Sequence, residues 1–599
     1  MSAARAKSVA KSRRHAGDTH REGEAPAEPL SAANAGSAGA SPSRIDVPTP
    51  WLDRTLFAAV LVWMFVACIF PLVDTDIWWH LRTGELILEK GELPQVDWFT
   101  FTDYDKRWID LHWGFQLLVT FLYRAGGTDA IILFKAATIT LAVGIAWLAA
   151  GRNVAAWLKA AVWLMPAIAV SGRAYERPEV LTQLFLATWL WILHRLPNRP
   201  GLIWLLPLVQ VIWVNCHSLF VLGLVVGGCW IVDRIARTWL GGQFGLSPAE
   251  TNPPAILCQV VGLLIVLASF VNPYFEEGAL FPLEVYRKLT ADQALYASIG
   301  EFQQPIDFVR ESGFGWEQFK KREGFWNVYL QAELWIWIVA AASFVLLAKR
   351  RRWSLFRLLL FAGFSHLAWK ASRNTNIFSI VSIVVTLANL EDWRALGPLT
   401  SREKTSPPEW RGGATRLTAA MLVAWCGLIV AVIAGPWHWL GAENKSFGLG
   451  QREAWFIHDA AKFAAKPGLP LRAFVSNIGQ AAVYSYHNGP ERRIFMDGRL
   501  EVCTPQTWVM YNTILQAMAV GDFRWQDAVR DAEGQLPVVI LDSRVSRPQI
   551  NGLLNTPGWR LVFADGSAGV FVDEKLATTL SLPPADFEPL KFPPGTRPH

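Results

Sequence analysis

Asp74-Thr75-Asp76-Ile77-Trp78-Trp79-His80-Leu81-Arg82-Thr83-Gly84-Glu85 begins where the first long apolar run of the chain ends. Two carboxylates stand two residues apart. A Trp pair and His80 follow, and Arg82 and Glu85 close the stretch. Ionisable groups against a bilayer are costly to place, so a cluster of this kind at the end of a membrane span marks a functional position. Reading the fold then becomes a matter of which side of the membrane the cluster faces, and what joins it there.

Composition sets the class. The 599 residues are 52% hydrophobic and 18% charged, with a mean hydropathy of +0.23. That is the profile of a polytopic membrane protein, not of a soluble enzyme. The chain has 31 Trp, a residue whose apolar ring and polar N–H suit the membrane–water interface. The Cys have no CxxC or Cys/His metal spacing and read as small core residues. The formal charge of +6 comes largely from basic turns with a topological explanation, so no nucleic-acid partner is expected.

Residues 1–50 are rich in Ala, Ser, Pro and Gly and read as a disordered cytoplasmic tail. Spanning a bilayer takes roughly 20 apolar residues. Candidate runs are 54–73, 128–150, 154–171, 178–195, 201–216, 218–236, 255–271, 334–349, 353–371, 374–391 and 416–438. Segment 111–124 is short and reads as an interfacial helix. With the N-terminus inside and eleven spans alternating, nearly every compact basic cluster, such as Lys349-Arg350-Arg351-Arg352, falls in the cytoplasm, as positive charge should. A twelfth span would invert that arrangement.

The predicted architecture is therefore mainly α: a polytopic membrane domain over 51–440, with outer loops 74–127 and 272–333. After it, strands alternate with helices, which predicts a small extracytoplasmic α/β domain over 441–577. Its expected elements are helix 451–465, strands 471–476 and 492–496, helices 504–519 and 524–533, strand 537–542, helix 547–556 and a hairpin over 559–573. The tail 578–599 is Pro-rich and irregular.

This topology gathers Asp74, Asp76, His80, Asp110, His112, Arg173, Glu176, Arg177, His217, Asn272, Glu301, Arg373 and Asn374 on the outer side. Convergence of ionisable groups at one depth is what a site at a membrane surface needs. An Asp pair at i, i+2 can bind a hard divalent cation or supply a base, but Asp76 before Ile-Trp-Trp also suits a helix N-cap. Asp497-Gly498-Arg499 after a strand reads as a turn, with a ligand contact as the sharper alternative. No phosphate-binding Gly loop, nucleophile elbow or zinc motif is present.

Taken in order, these motifs resemble a family of large bacterial polytopic proteins with a GT-C-like membrane domain and a C-terminal outer domain. The family lies near the dolichyl-phosphate-mannose mannosyltransferases and the lipid A core-sugar transferases. The resemblance rests on 74–85, Asp97-Trp98-Phe99-Thr100-Phe101-Thr102, Arg177-Pro178-Glu179, Trp213-Val214-Asn215-Cys216-His217-Ser218, Asn272-Pro273-Tyr274, Glu301-Phe302, Arg373-Asn374, Asn477-Ile478-Gly479 and Phe495-Met496-Asp497-Gly498-Arg499. Two motifs depart from the family pattern: Ser218 stands where Gly is usual, and the family's Asn-x-Gly-Gly-Tyr stretch is weakened at 477–484.

The resemblance implies a multi-pass protein of the bacterial inner membrane that transfers a sugar from a polyprenyl-phosphate donor to an envelope acceptor at the outer face. Its implied catalytic residues are Asp74, Asp76 and His80. Asp74 or Asp76 would serve as base or as ligand of a divalent cation, Mg or Mn. Arg82, His112, Arg173, Arg177, His217, Glu301 and Arg373 would bind substrate. A non-enzymatic envelope scaffold or lipid-binding protein is the alternative. Transport has the least support, because the ionisable groups sit at span ends and Lys135 is the main exception.

Overall fold

Apolar runs of bilayer length bury their backbone polar groups only by becoming helices, and each of the eleven runs contains one. The computed structural model describes residues 50–240, 253–291, 300–395, 408–441, 445–452 and 454–588. The expectation of a disordered tail over 1–50 falls almost wholly outside them. Helix α1 is Pro50–Ala67, α2 Asp76–Lys90, α3 Trp113–Ala149, α4 Ala156–Gly172 and α5 Glu179–Arg195. Among the described residues, five helices are both long and apolar enough to cross a membrane: Pro50–Ala67, Trp113–Ala149, Ser218–Leu240, Val328–Lys349 and Ala414–Ile433. The 201–216 run opens as a 3-10 turn, Pro200–Trp204, before its helix Leu205–Val214.

Segment 111–124 forms a helix of its own from Trp113 onward: the range given as α3 holds two helices, parted at Gly126 and Gly127, whose backbone is not helical. Gly127 has φ +62°, a conformation that costs Gly nothing, so the chain turns there without unwinding further. Helix α2 lies against the first part of α3. A Cβ on Gly84 would come 2.6 Å from the Gln116 carbonyl oxygen, so only Gly permits this approach. Lys135, the expected exception within a span, forms a buried ion pair with Glu176 at 2.6 Å. Cys68 and Cys258 are buried as expected, but Cys426 is exposed.

The outer domain is built on a five-stranded sheet: β1 (Arg472–Val475), β2 (Arg493–Ile494), β3 (Val538–Asp542), β4 (Trp559–Ala564) and β5 (Ala568–Asp573), in the order β2-β1-β3-β5-β4. β1 runs parallel to β2 and β3, while β5 is antiparallel to β3 and β4. Every residue of β3 is buried, as a central strand covered on both faces requires. Helix 451–465 shrinks to His458–Ala464, and 524–533 is a 3-10 turn, Phe523–Ala528. Helix Ile478–Asn488 was not foreseen; Asn477 caps it, its Oδ1 accepting from Gly479 N at 3.0 Å.

The two predicted domains are stitched together. Ile494 N donates to Phe99 O, and Phe101 N to Ile494 O, both at 2.9 Å, so the first outer loop covers the free edge of β2. Leu72 bridges Gln451 in the same way. All described residues belong to one unit.

Candidate functional site

Arg177 is the centre of the gathering. Its Nε donates to Asp74 at 2.5 Å, and Nη2 reaches the other Asp74 oxygen at 3.3 Å. Nη1 donates to both oxygens of Glu301, at 2.8 and 2.9 Å. Nη2 also lies 3.1 Å from Asp76. One guanidinium thus holds three carboxylates from two outer loops in a fork geometry suited to bidentate pairing. Arg173 stands 3.6 Å from Glu301. Arg373 packs on Phe302, and its turn, Ser372–Asn374, is tied to the Glu301 turn by Ser372 N donating to Gln303 O at 3.0 Å.

The two Asp differ. Asp74 is buried, and it is Asp74, not Asp76, that closes the start of α2: its Oδ1 accepts from Asp76 N at 3.0 Å. Asp76 is the first residue of the helix, with its side chain 29% exposed. Burial pushes the Asp76 carboxyl up to about 7, helped by Asp74, Glu301 and Asp497 against the pull of Arg177. Burial also pushes Glu301 up, but Arg177, Arg173 and Arg373 outweigh it and hold that group at about 2.

A stability consequence follows from Asp76. Its folded value lies above the ordinary 3.8, so its contribution is fully present below 3.8 and is lost as pH rises towards about 7. Between pH 5 and 8 the unfolding midpoint of the native protein should therefore fall relative to that of Asp76→Asn, measured by thermal melts in nanodiscs. Parallel melting curves would show that Asp76 titrates in the ordinary carboxylate range.

One α-helical turn beyond Asp76 stands His80, the first of three imidazoles in a row, of which His80 and His217 are buried and His112 partly exposed. The His80 and His112 rings are 5.7 Å apart, and those of His112 and His217 are 5.5 Å apart. His217 Nδ1 shares a hydrogen bond with Thr182 Oγ1 at 2.7 Å, and Trp213 Nε1 donates to the same hydroxyl at 3.0 Å. His112 faces Asp110 at 3.4 Å. Burial drives His80 and His217 well below their ordinary values, so both are neutral at pH 7.

The outer domain forms a further wall. Arg499, fully enclosed, pairs with Asp497 at 2.8 Å and with Asp97 at 2.7 Å, under the rings of Trp108 and Phe99. Asp497-Gly498-Arg499 is therefore more than a turn: it buries an ion triad and brings Asp497 to bear on Asp76. A Cβ on Gly498 would lie 3.5 Å from Asp76. Arg82 is not part of the cluster. It donates to Gly489 O at 2.7 Å and pairs with Glu85, fastening the outer domain instead. Asn272 serves its own turn, accepting from Tyr274 N at 2.9 Å.

Two cavities lie along one groove between α4, Val328–Lys349 and the helix starting at Thr375. The outer one, of about 240 Å³, is lined by Arg173, Tyr175, Tyr329, Glu333 and Ser372 among others. Nε of Arg173 and one oxygen of Glu333 are buried with no hydrogen-bond partner among the described residues; Nη2 of Arg173 is the atom 3.6 Å from Glu301, and the other Glu333 oxygen accepts from Thr375 at 2.8 Å. The inner cavity, of about 190 Å³, is apolar, with Met165, Ile336, Val339 and Ile383 in its wall. From Gly172 to Met165 is about 10 Å along α4. Glu333 was missed in the sequence because a lone acid near the start of an apolar helix carries no motif.

The expected divalent-cation site does not fit this arrangement. Arg177 occupies the place that a cation shared by Asp74, Asp76 and Glu301 would need. Among the described residues, no group of three or more His, Cys, Asp or Glu is placed to hold a metal ion.

The helices define a multi-pass membrane protein. The chain is similar in structure to the archaeal oligosaccharyltransferase AglB from Archaeoglobus fulgidus, solved in complex with an inhibitory peptide and a dolichol-phosphate. The TM-score is 0.50 at 14% identity, over 84% of this chain and 70% of that one. The arabinofuranosyltransferase AftD from Mycobacteria matches with a TM-score of 0.38 at 12% identity, over 88% of this chain and 40% of that one. No protein-family model matches the chain, and no curated protein does.

Proposed function

We propose that this protein is a membrane glycosyltransferase that moves a sugar from a polyprenyl-phosphate-linked donor to an acceptor at the outer face of the bacterial inner membrane. The observation that carries the reading is the groove: a cavity lined by Arg173, whose Nε is buried with no partner among the described residues, and by Glu333 shares its three helices with a second, more apolar cavity. An amphipathic ligand with an anionic head and a hydrocarbon tail matches it end for end. AglB was solved with a dolichol-phosphate, a ligand of that chemical kind.

In this reading the phosphate meets Arg173, whose guanidinium suits it bidentately. The free oxygen of Glu333 accepts from sugar hydroxyls. Asp76 takes the proton of the acceptor hydroxyl as the new bond to the sugar's anomeric carbon forms. The carbon–oxygen bond to phosphate breaks, and its electron pair leaves with the lipid phosphate. Arg177 and Asp74 fix Asp76 in position, and no step runs through a metal. The eleven-span topology, with the N-terminus cytoplasmic and the outer domain extracytoplasmic, belongs to the same proposal.

Arg173→Gln tests it. A hydrogen bond to a charged group is worth about 1.5–3 kcal/mol, or on the order of a 10- to 100-fold loss of affinity. Binding of a fluorescent polyprenyl-phosphate sugar in proteoliposomes should weaken by that factor. Equal binding by the native and variant proteins would remove Arg173 from the site. Tight binding with no transfer to any acceptor would favour a lipid-binding protein.

A further inference from the structure

Residues 313–327 carry aromatic side chains that the fold leaves in the open. Phe314 is 62% exposed and Trp316 66%, and Phe319 and Trp326 are exposed as well. The rings pack on one another. Trp316 stacks on Phe319 at 5.0 Å, Phe319 meets Trp326 edge-on at 5.1 Å, and Phe314 tilts against Phe325 at 5.1 Å. Trp326 Nε1 donates to Phe314 O at 3.2 Å and closes the loop on itself. Apolar groups gathered in one exposed patch need a covering surface.

Position and charge say what covers it. Trp326 stands two residues before Val328–Lys349, a helix of membrane length capped by Asn327. The other end of that helix runs into Lys349-Arg350-Arg351-Arg352. The aromatic cluster is therefore at the opposite end of the span, at the depth where the helix leaves hydrocarbon. Trp favours that depth because its ring is apolar and its N–H polar. Lys320 and Lys321 stand exposed beside the rings, with long stems that can lie along lipid while the ammonium reaches water. Glu317 pairs with Lys320 at 3.0 Å, and Glu311 and Glu323 flank the patch, so neither sign of charge dominates it. A strongly charged partner is not what this surface is built to meet.

We propose that residues 313–327 are seated in the lipid headgroup region at the end of the span away from Lys349–Arg352, their rings in contact with phospholipid. The seat has a consequence for the polar cavity. Gly324 and Asn327 form part of its wall, as do Pro305 and Phe308 from the preceding helix. The segment fixes the mouth of that cavity at lipid depth. None of this rests on the glycosyl-transfer reading.

Depth-resolved spin labelling tests the seat. Nitroxides at Phe314→Cys and Trp316→Cys, each in a Cys426→Ser parent reconstituted in phospholipid vesicles, should collide several-fold more with oxygen than with a water-soluble nickel complex. Val520→Cys, at a position 80% exposed in the outer domain, should show the reverse. If labels at 314 and 316 meet nickel as freely as the label at 520, or are shielded from both reagents, the proposal is wrong. Photolabelling of the native protein by a phospholipid with a headgroup-level diazirine avoids any substitution. Adducts are expected within 313–327, and adducts confined to the spans would overturn the proposal.

Discussion

Asp76→Asn should cut sugar transfer by about 10²- to 10⁴-fold, the range that a positioned general base contributes, and leave the fold standing. Asp76 is the carboxylate at the edge of the Arg177 cluster, partly exposed and lifted to about 7 by burial and its acidic neighbours. A base poised near working pH combines enough ionised form with enough basicity to accept a proton. The substitution is close to isosteric and removes a charge that burial disfavours, so above pH 7 the variant should melt no earlier than the native protein. Asp74→Asn is its opposite. Asp74 is buried and gripped by two nitrogens of Arg177. Losing its charge leaves Arg177 with Glu301 and Asp76 but weakens two charge-assisted hydrogen bonds, and should cost about 1.5–3 kcal/mol of stability. Melting curves and transfer rates for the two variants therefore separate a chemical role from a structural one. Full transfer by Asp76→Asn, with transfer abolished in Glu301→Gln, would move the base to the second outer loop.

Arg499→Met should release the outer domain from the first loop. Arg499 is, among the described residues, the sole cation paired with Asp97 and Asp497, and all three side chains are enclosed. Removing one partner of a buried ion group costs about 3–5 kcal/mol, because the remaining charges stay desolvated. Asp97 suffers most, since its oxygens also order Phe99 and Thr100 at the edge of β2. Limited proteolysis should cut between residues 85 and 110 in Arg499→Met under conditions where the native loop resists. Adding Asp97→Asn and Asp497→Asn should restore much of that resistance, because it removes the stranded charges. Unchanged proteolysis in Arg499→Met would mean that the β2 edge pairing alone holds the domain.

The apolar runs were legible because spanning a membrane leaves the chain one local solution, and each run contains a helix. The outer gathering was legible in part. Positive-charge bookkeeping put Asp74, Asp76, Arg177 and Glu301 on one side, and they meet. It could not say that Arg177 serves all three acids, since that depends on the packing of two loops 124 residues apart in sequence. Arg82 was misplaced for the same reason: its nearest acids suggested the site, but its Nε faces a backbone carbonyl 407 residues away. Asp497-Gly498-Arg499 read as a turn because a short polar triplet looks alike whether solvent or Trp108 covers it. The N-cap position fell to Thr75 and not Asp76, with Asp74 accepting from the first helical N–H, one of the boundary details that sequence leaves open by a residue or two.

The hydrogen bond from Arg499 to Asp97 closes a separation of 402 residues. At synthesis rates of about 5–20 residues per second, the partner arrives roughly 20–80 s after Asp97 leaves the ribosome. Throughout that interval Asp97 and the β2-pairing segment around Phe99 have no mate, and Asp76 lacks the neighbour that helps raise its carboxyl. Assembly of the wall around Asp76 thus waits for synthesis of the last fifth of the chain. A nascent chain stalled before residue 490 would hold its spans with the segment around Phe99 unpaired, and that segment would be a natural mark for proteolytic quality control.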